Sequence, residues 1–292
     1  MSNNTDRLLH RVHALMPDLF IEQVERNEEG LINDVLIINQ QLVFRFAKNE
    51  NSARILESEL KILDLIRSQI GLSVPTPVYR SSDCMVYPLL PGQPLTLKRV
   101  SALDEKSQTA IAEQVGAFLY RLHTTDVSKL DGELPITRAP VKRENWLELQ
   151  ARARAKIAPL LQGYQLEWLE DLFAGVLENP SAAHYEPALI HGDLASYHFL
   201  FDEQAGKLSG VIDFGMAGLG DAASDIGGLI NIYGESFVRQ MQTAYPTLDD
   251  YLPRARFYSQ LLELQWTLLG LETGETFWFT AHLGSARDIK PS

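Results

Sequence analysis

The chain has 292 residues, 45% of them hydrophobic, a formal net charge of −12 and one cysteine, Cys84. That length can hold one large domain or two lobes, whereas the acidic balance argues against nucleic acid, whose phosphates select basic surfaces. A lone cysteine excludes an internal disulfide, no apolar run reaches the roughly 18–20 residues of a membrane span, and the N-terminus lacks a signal pattern, so the expectation is a cytoplasmic monomer.

Residues 20–26, 32–38 and 41–47 read as short strands, with Asn39-Gln40-Gln41 turning the chain between the last two. From 52 to 70 the apolar residues Ile55, Leu56, Leu60, Leu63 and Ile66 recur at helical spacing. Gly71 is the expected stop. The prolines in Val74-Pro75-Thr76-Pro77-Val78-Tyr79 turn their predecessors away from helix, so this stretch reads as extended. Cys84 to Tyr87 is a further strand, and the Pro/Gly-rich crossing from Pro88 to Pro94 marks the boundary between lobes 1–90 and 91–292. Beyond it, Ile111, Val115, Phe118, Leu119 and Leu122 form one stripe of a helix over 104–124. Further helices are predicted at 144–161, 165–178, 222–243, 254–272 and 275–286. Strands first and helices afterwards indicate an α+β, two-lobed fold.

The most informative segments are His191-Gly192-Asp193-Leu194-Ala195-Ser196-Tyr197-His198-Phe199-Leu200-Phe201 and Gly210-Val211-Ile212-Asp213-Phe214-Gly215. Two short apolar strands around Asp202-Glu203-Gln204-Ala205-Gly206-Lys207 join them. Such a hairpin can bring both carboxylates to one end. One could face an acceptor hydroxyl while the other holds Mg²⁺ on a nucleotide. Phosphoryl transfer needs that arrangement, because the protein supplies mainly positioning and charge neutralisation. A turn-capping role is the plainer alternative for Asp193.

Together the two segments resemble the paired signature of the kinase-like small-molecule phosphotransferases. These are the aminoglycoside and macrolide antibiotic kinases, with relatives acting on choline, homoserine and thiamine. His198 stands where that family usually has Asn, which resembles its 2''-aminoglycoside and macrolide branches. The likeness implies a protein-kinase-like fold: an antiparallel-sheet, nucleotide-binding N-lobe and a mainly helical lobe for catalysis and acceptor binding. It implies GTP and/or ATP as co-substrate, with Mg²⁺ held on the phosphates by Asp213, and Asp193 orienting the acceptor hydroxyl and taking its proton. By the same resemblance Arg45 takes the place of the strand lysine that grips phosphates, with Lys48 as competitor, and Glu59 is its helix partner. Gly30 and Asn33 fall in the loop covering the nucleotide, a weak signal with one glycine. Leu89 lies on the hinge facing the purine edge, and Tyr87 at the guard of the purine pocket, unless it is an ordinary core aromatic. His198 would lie beside the metal with Asp213, hold phosphate oxygens, or be structural. His191 would brace the loop. Asp225 would accept backbone N–H groups from the catalytic loop, although N-capping by Ser224 or Asp225 is an equally plain reading.

Only Met216 to Ala223 separates the second motif from the next helix, too little for a protein kinase's activation loop. A small-molecule acceptor is therefore expected. Residues 1–156 carry 20 basic and 20 acidic side chains, whereas 157–286 carry 4 basic and 17 acidic ones. A cleft with that bias concentrates cations, so the acceptor reads as a small cationic molecule, foremost an aminoglycoside phosphorylated in the 2'' manner. Glu235, Glu263, Glu272 and Glu275 are the candidate ammonium partners, with Trp266 flanking sugar rings. A macrolide 2'-kinase, a metabolic kinase for choline or another amino-alcohol, and a non-catalytic nucleotide-binding module are the alternatives.

Overall fold

A computed structural model describes residues 2–27, 32–129, 143–178 and 184–274. Gly30, Glu275 and the helix expected at 275–286 lie outside these residues. The N-terminal region is built on a five-stranded antiparallel sheet in the order β1-β2-β3-β5-β4. Its strands are β1 (Val24–Asn27), β2 (Asn33–Ile38), β3 (Leu42–Ala47), β4 (Tyr79–Arg80) and β5 (Cys84–Pro88). Side chains alternate across a strand, and the alternation divides two cores. Leu36, Ile38, Phe44, Phe46, Cys84 and Val86 pack with Leu8 and Val12 of α1 (Ser2–Leu15), a helix not anticipated from the sequence. Val43, Met85 and Tyr87 face the opposite way and join Leu56, Leu60 and Leu63 of α2 (Glu50–Ile66).

The turn between β2 and β3 works because Asn39 and Gln40 both take φ of 54°, a left-handed conformation Asn tolerates better than most residues. The Asn39 carboxamide oxygen then accepts the N–H groups of Glu22 and Gln23 at 2.8 and 3.0 Å, fastening the entry to β1 onto the turn. Asn49 caps α2 by accepting the Ser52 N–H. The helix ends at Ile66, before Gly71, whose φ of 71° belongs to the turn beyond.

The C-terminal region is helical around two small sheets, β10 (Gly218–Gly220) with β7 (Ala188–Ile190), and β6 (Gln93–Pro94) with the hairpin β8 (Phe199–Asp202) and β9 (Lys207–Val211). After α3 (Leu97–Ser101), Asp104 caps α4 (Glu105–His123), and α5 (Arg143–Lys156) and α6 (Gly163–Leu177) follow. The helix expected at 222–243 is broken by Gly234, at φ 85°, into α7 (Ala222–Tyr233) and α8 (Glu235–Arg239). Conversely, α9 (Leu248–Thr273) begins before Pro253 and runs through it, since a proline near a helix start removes one backbone bond without ending the helix. Gly227 lets α7 and α9 meet closely: a Cβ there would lie 2.7 Å from the Ala255 carbonyl oxygen and the Tyr258 Cβ.

Two segments that leave the N-terminal elements bear on the β8–β9 hairpin. The strap after α2 pairs with it through Ser73, whose carbonyl accepts the Val211 N–H at 2.9 Å. The crossing after β5 lays Leu90 over Gly210, where an added Cβ would meet Leu90 Cδ2 at 2.7 Å and the Ser73 carbonyl oxygen at 2.8 Å.

Candidate active site

Strand β7 delivers the chain to His191, and Asp225 of α7 fixes the bend beyond it. Asp225 is 2% exposed. Its Oδ2 accepts the His191 N–H at 2.8 Å and its Oδ1 the Gly192 N–H at 2.9 Å. Burial would raise the Asp225 carboxyl, but hydrogen bonding from the His123 ring and the His191 backbone amide outweighs it and holds the carboxyl below the ordinary range. Capping of α7 falls instead to Asp221, which accepts the Ala223 N–H. With two amides held, Gly192 adopts φ of 77° and the loop turns at Asp193. His191 Nε2 faces the Ile212 carbonyl at 3.1 Å, bracing the loop against the segment that carries Asp213.

His198 joins the two aspartates. Its Nδ1 lies 2.7 Å from the Asp193 carbonyl oxygen, which can only accept, so Nδ1 carries the proton. Its Nε2 faces Asp213 Oδ2 at 3.6 Å. In the neutral ring this sets a lone pair beside a carboxylate oxygen, an arrangement a cation satisfies. No third histidine, cysteine or carboxylate joins them in a metal-holding group among the described residues. Asp213 itself offers the hard oxygen that Mg²⁺ prefers, and water and phosphate oxygens could complete such an ion's shell. Asp213 has φ of 65°, a left-handed backbone costing about 1–3 kcal/mol in a non-glycine residue.

From the sheet, Arg45 reaches into the same place. Its Nη1 donates to Glu59 Oε1 at 2.6 Å and its Nη2 to Asp213 Oδ1 at 3.3 Å. Glu59 is 1% exposed, so its carboxylate is held inside the fold, whereas Lys48 lies exposed past the strand. Burial opposes the Arg45 charge, but Glu59 and Asp213 outweigh it and keep the guanidinium ionised. Burial pushes the Glu59 carboxyl up against the pull of Arg45. At Asp213, burial pushes upward too, yet Arg45 and His198 prevail and hold the carboxyl low. Asp193 is the opposite case: burial holds its carboxyl above the ordinary range despite His198 and His191.

Register places the other residues expected to face a nucleotide. Val35 lies opposite Arg45 and Val43 opposite Tyr87, so Asn33, Arg45 and Tyr87 share one face of the sheet. Asn33 is buried, with its side-chain oxygen unpartnered. Burial pushes the Tyr87 phenol up to about 12, with the Arg45 charge opposing. The Leu89 N–H donates to the Gln41 carbonyl at 2.7 Å, so the hinge amide there is already engaged.

The acidic candidates are dispersed. Glu235 is gripped by Arg256 and Arg239, which hold its carboxyl at about 2. Glu272 takes a bidentate contact from Arg152 at 3.0 and 2.6 Å and lies 3.6 Å from Lys156. Glu263 accepts from Asn231 Nδ2 at 2.6 Å, and Trp266 is half-buried one turn further along α9. Glu263 and Glu272 stand about 13–14 Å apart along the helix axis at 1.5 Å per residue. The structure therefore gathers Arg45, Glu59, Asp193, His198 and Asp213, and does not gather the glutamates. Sequence reasoning also passed over His123, buried at the end of α4. Its spacing from Leu119 on the apolar stripe was the available signal.

The chain is 27% identical over 221 residues to the viomycin phosphotransferase of Streptomyces vinaceus, covering 72% of this chain and 74% of that protein. Its fold matches the GDP complex of wild-type aminoglycoside 2'-phosphotransferase-IIIa with a TM-score of 0.84 at 26% identity, covering 98% of each chain. It matches the GDP and kanamycin complex of an APH(2'') enzyme with a TM-score of 0.83 at 25% identity, covering 95% of this chain and 96% of that one. The sequence model of the phosphotransferase enzyme family spans residues 23–258, from β1 to the middle of α9 with both aspartate segments inside, and the chain belongs to that family.

Proposed function

We propose that the protein transfers the γ-phosphate of GTP and/or ATP to a hydroxyl of an aminoglycoside antibiotic, in the 2'' manner, and so confers resistance in the cytoplasm. The observation that carries this reading is the His198 ring, set between the Asp193 backbone and the Asp213 carboxylate with Arg45 on Asp213's other oxygen. Asp193 accepts the proton of the attacking hydroxyl. Asp213 and His198 would hold Mg²⁺, which when bound neutralises charge on the phosphates. Arg45, kept in place by Glu59, presents its fork to phosphate oxygens. Asn33 and Tyr87 line the same sheet face, where a nucleotide would lie, with the lobes divided at residue 90.

Two features support a cationic acceptor. Residues 157–286 carry 17 acidic side chains against 4 basic ones. Kanamycin, bound in the similar APH(2'') complex, carries several amines. Arginines engage Glu235 and Glu272, and Glu263 and Trp266, one turn apart and half-buried on α9, are the acceptor candidates carried forward. The test is nucleotide turnover by purified protein with Mg²⁺ and GTP or ATP, across aminoglycosides, macrolides and amino-alcohols, with the product mass determined. Phosphorylated aminoglycoside is expected. Turnover confined to macrolides or amino-alcohols would replace the acceptor, and nucleotide binding without any turnover would leave a non-catalytic module.

A further inference from the structure

Behind Asp225 stands a second layer of buried polar groups that touches neither the nucleotide-side cluster nor the aspartate pair. His123, at the last position of α4, lies with Nε2 3.1 Å from Asp225 Oδ2 and Nδ1 2.8 Å from the Tyr245 hydroxyl. His123 is 8% exposed, Asp225 2% and Tyr245 1%. Chemistry assigns the donor roles. An ionised carboxylate only accepts, so Nε2 carries the ring proton, and Nδ1 accepts from the phenol. Three N–H groups thus converge on one carboxylate: the His123 ring and the backbone amides of His191 and Gly192. Asp193 is the next residue along the chain.

A charge at this depth needs its hydrogen bonds, because a buried carboxylate with too few donors pays the full desolvation cost. It can also shift or rotate to find others. His123 removes that freedom at Oδ2, the oxygen that also takes the His191 amide. Burial, aided by Tyr251, raises the Tyr245 phenol, which keeps it a donor. The chain Tyr245–His123–Asp225 therefore tethers the bend at His191 and Gly192 to α4 and to the segment after α8.

We infer that His123 is a positioning residue for phosphoryl transfer: by fixing Asp225 between Tyr245 and the amides of His191 and Gly192, it sets the backbone from which Asp193 meets the acceptor. The inference rests on the proposed role of Asp193, but its first readout does not depend on turnover. Small displacements of a reacting group cost rate, up to about 10²-fold for 1 Å. His123 is buried, with both ring nitrogens turned to Tyr245 and Asp225, so KM should be spared.

The experiment uses the full chain with three changes: His123→Gln, which keeps a donor near Nε2; His123→Leu; and His123→Leu with Tyr245→Phe, which leaves no orphaned hydroxyl. Hydrogen exchange at the His191 and Gly192 amides should speed up by about tenfold or more in both Leu variants, and less in the Gln variant. With whichever acceptor the unaltered protein phosphorylates, kcat per folded molecule should fall by about tenfold or more in the Leu variants at unchanged KM, with partial recovery in the Gln variant. Unchanged exchange at both amides in the doubly altered protein overturns the inference. So does a kcat loss that vanishes once the folded fraction is counted, or one no smaller in the Gln variant. If the unaltered protein phosphorylates nothing, the functional reading fails, while exchange still decides whether His123 holds the loop.

Discussion

Arg45 and Asp213, 168 positions apart in the chain, meet at 3.3 Å across the two regions of the fold. The same guanidinium holds Glu59 at 2.6 Å, so one fork serves two carboxylates. A lysine carries the charge but not the fork. Arg45→Lys should weaken nucleotide binding by about tenfold or more, the worth of one charge-assisted hydrogen bond, as calorimetry would measure. Arg45→Met should cost about 3–5 kcal/mol of stability, because Glu59 stays buried without its partner. Adding Glu59→Leu should recover much of that in denaturant titrations, while nucleotide binding stays lost.

The two aspartates should fail differently. Asp193→Ala is expected to lower transfer by about 10²-fold or more with nucleotide affinity nearly intact. Asp213→Ala should weaken Mg²⁺-nucleotide binding itself. Asp193 also sets a pH dependence. Only its ionised form accepts a proton, and burial holds its carboxyl above the ordinary range. The transfer rate should therefore fall as pH drops, along a limb centred above the ordinary value of about 3.9. A pH profile of kcat that stays flat down to that value would count against the assignment.

Tyr87 shares the sheet face of Arg45, and a rigid ring guarding a purine pocket would obstruct an adenine seated deep in it while leaving a guanine room to sit further out. GTP should serve at least as well as ATP, and Tyr87→Ala should shift the ratio of their kcat/KM values toward ATP. An unchanged ratio would make Tyr87 a core side chain only.

Salt separates the two substrates. A cationic acceptor drawn by the acidic half should show a KM that rises with ionic strength, because screening shortens the reach of surface charge to about 8–10 Å. An acceptor KM that stays flat from low to high salt would remove the electrostatic argument for a polycation.

Packing offers a test free of function. At Gly227 an added methyl would stand 2.7 Å from the Ala255 carbonyl oxygen, a backbone atom that cannot rotate aside. Gly227→Ala should cost about 1–3 kcal/mol by forcing α7 from α9, visible as a lower Tm.

The legible parts of this fold were those whose information is local. The strands around Asn39, the apolar stripe of α2 and the hairpin between the aspartates each declare themselves by periodicity and a turn within a dozen or two residues. Arg45 and Glu59 followed from a resemblance, and their contact lies on neighbouring elements. What was lost depended on distance in sequence. A net acidic half does not reveal that Arg256 takes Glu235 or that Arg152 takes Glu272. Nor does an apolar stripe on α4 reveal that His123 at its end finds Asp225. Single residues misled at helix ends, where Gly234 divides α7 from α8 and Pro253 does not stop α9.

Gly210 gives the cleft a mechanical property. The strap leaving α2 and the crossing leaving β5 both bear on this residue, and the strand it belongs to runs on directly into Asp213. Asp213 is thus fastened to the sheet twice, through the short run of chain from Gly210 and through the Arg45 contact, so that carboxylate and guanidinium share their supports.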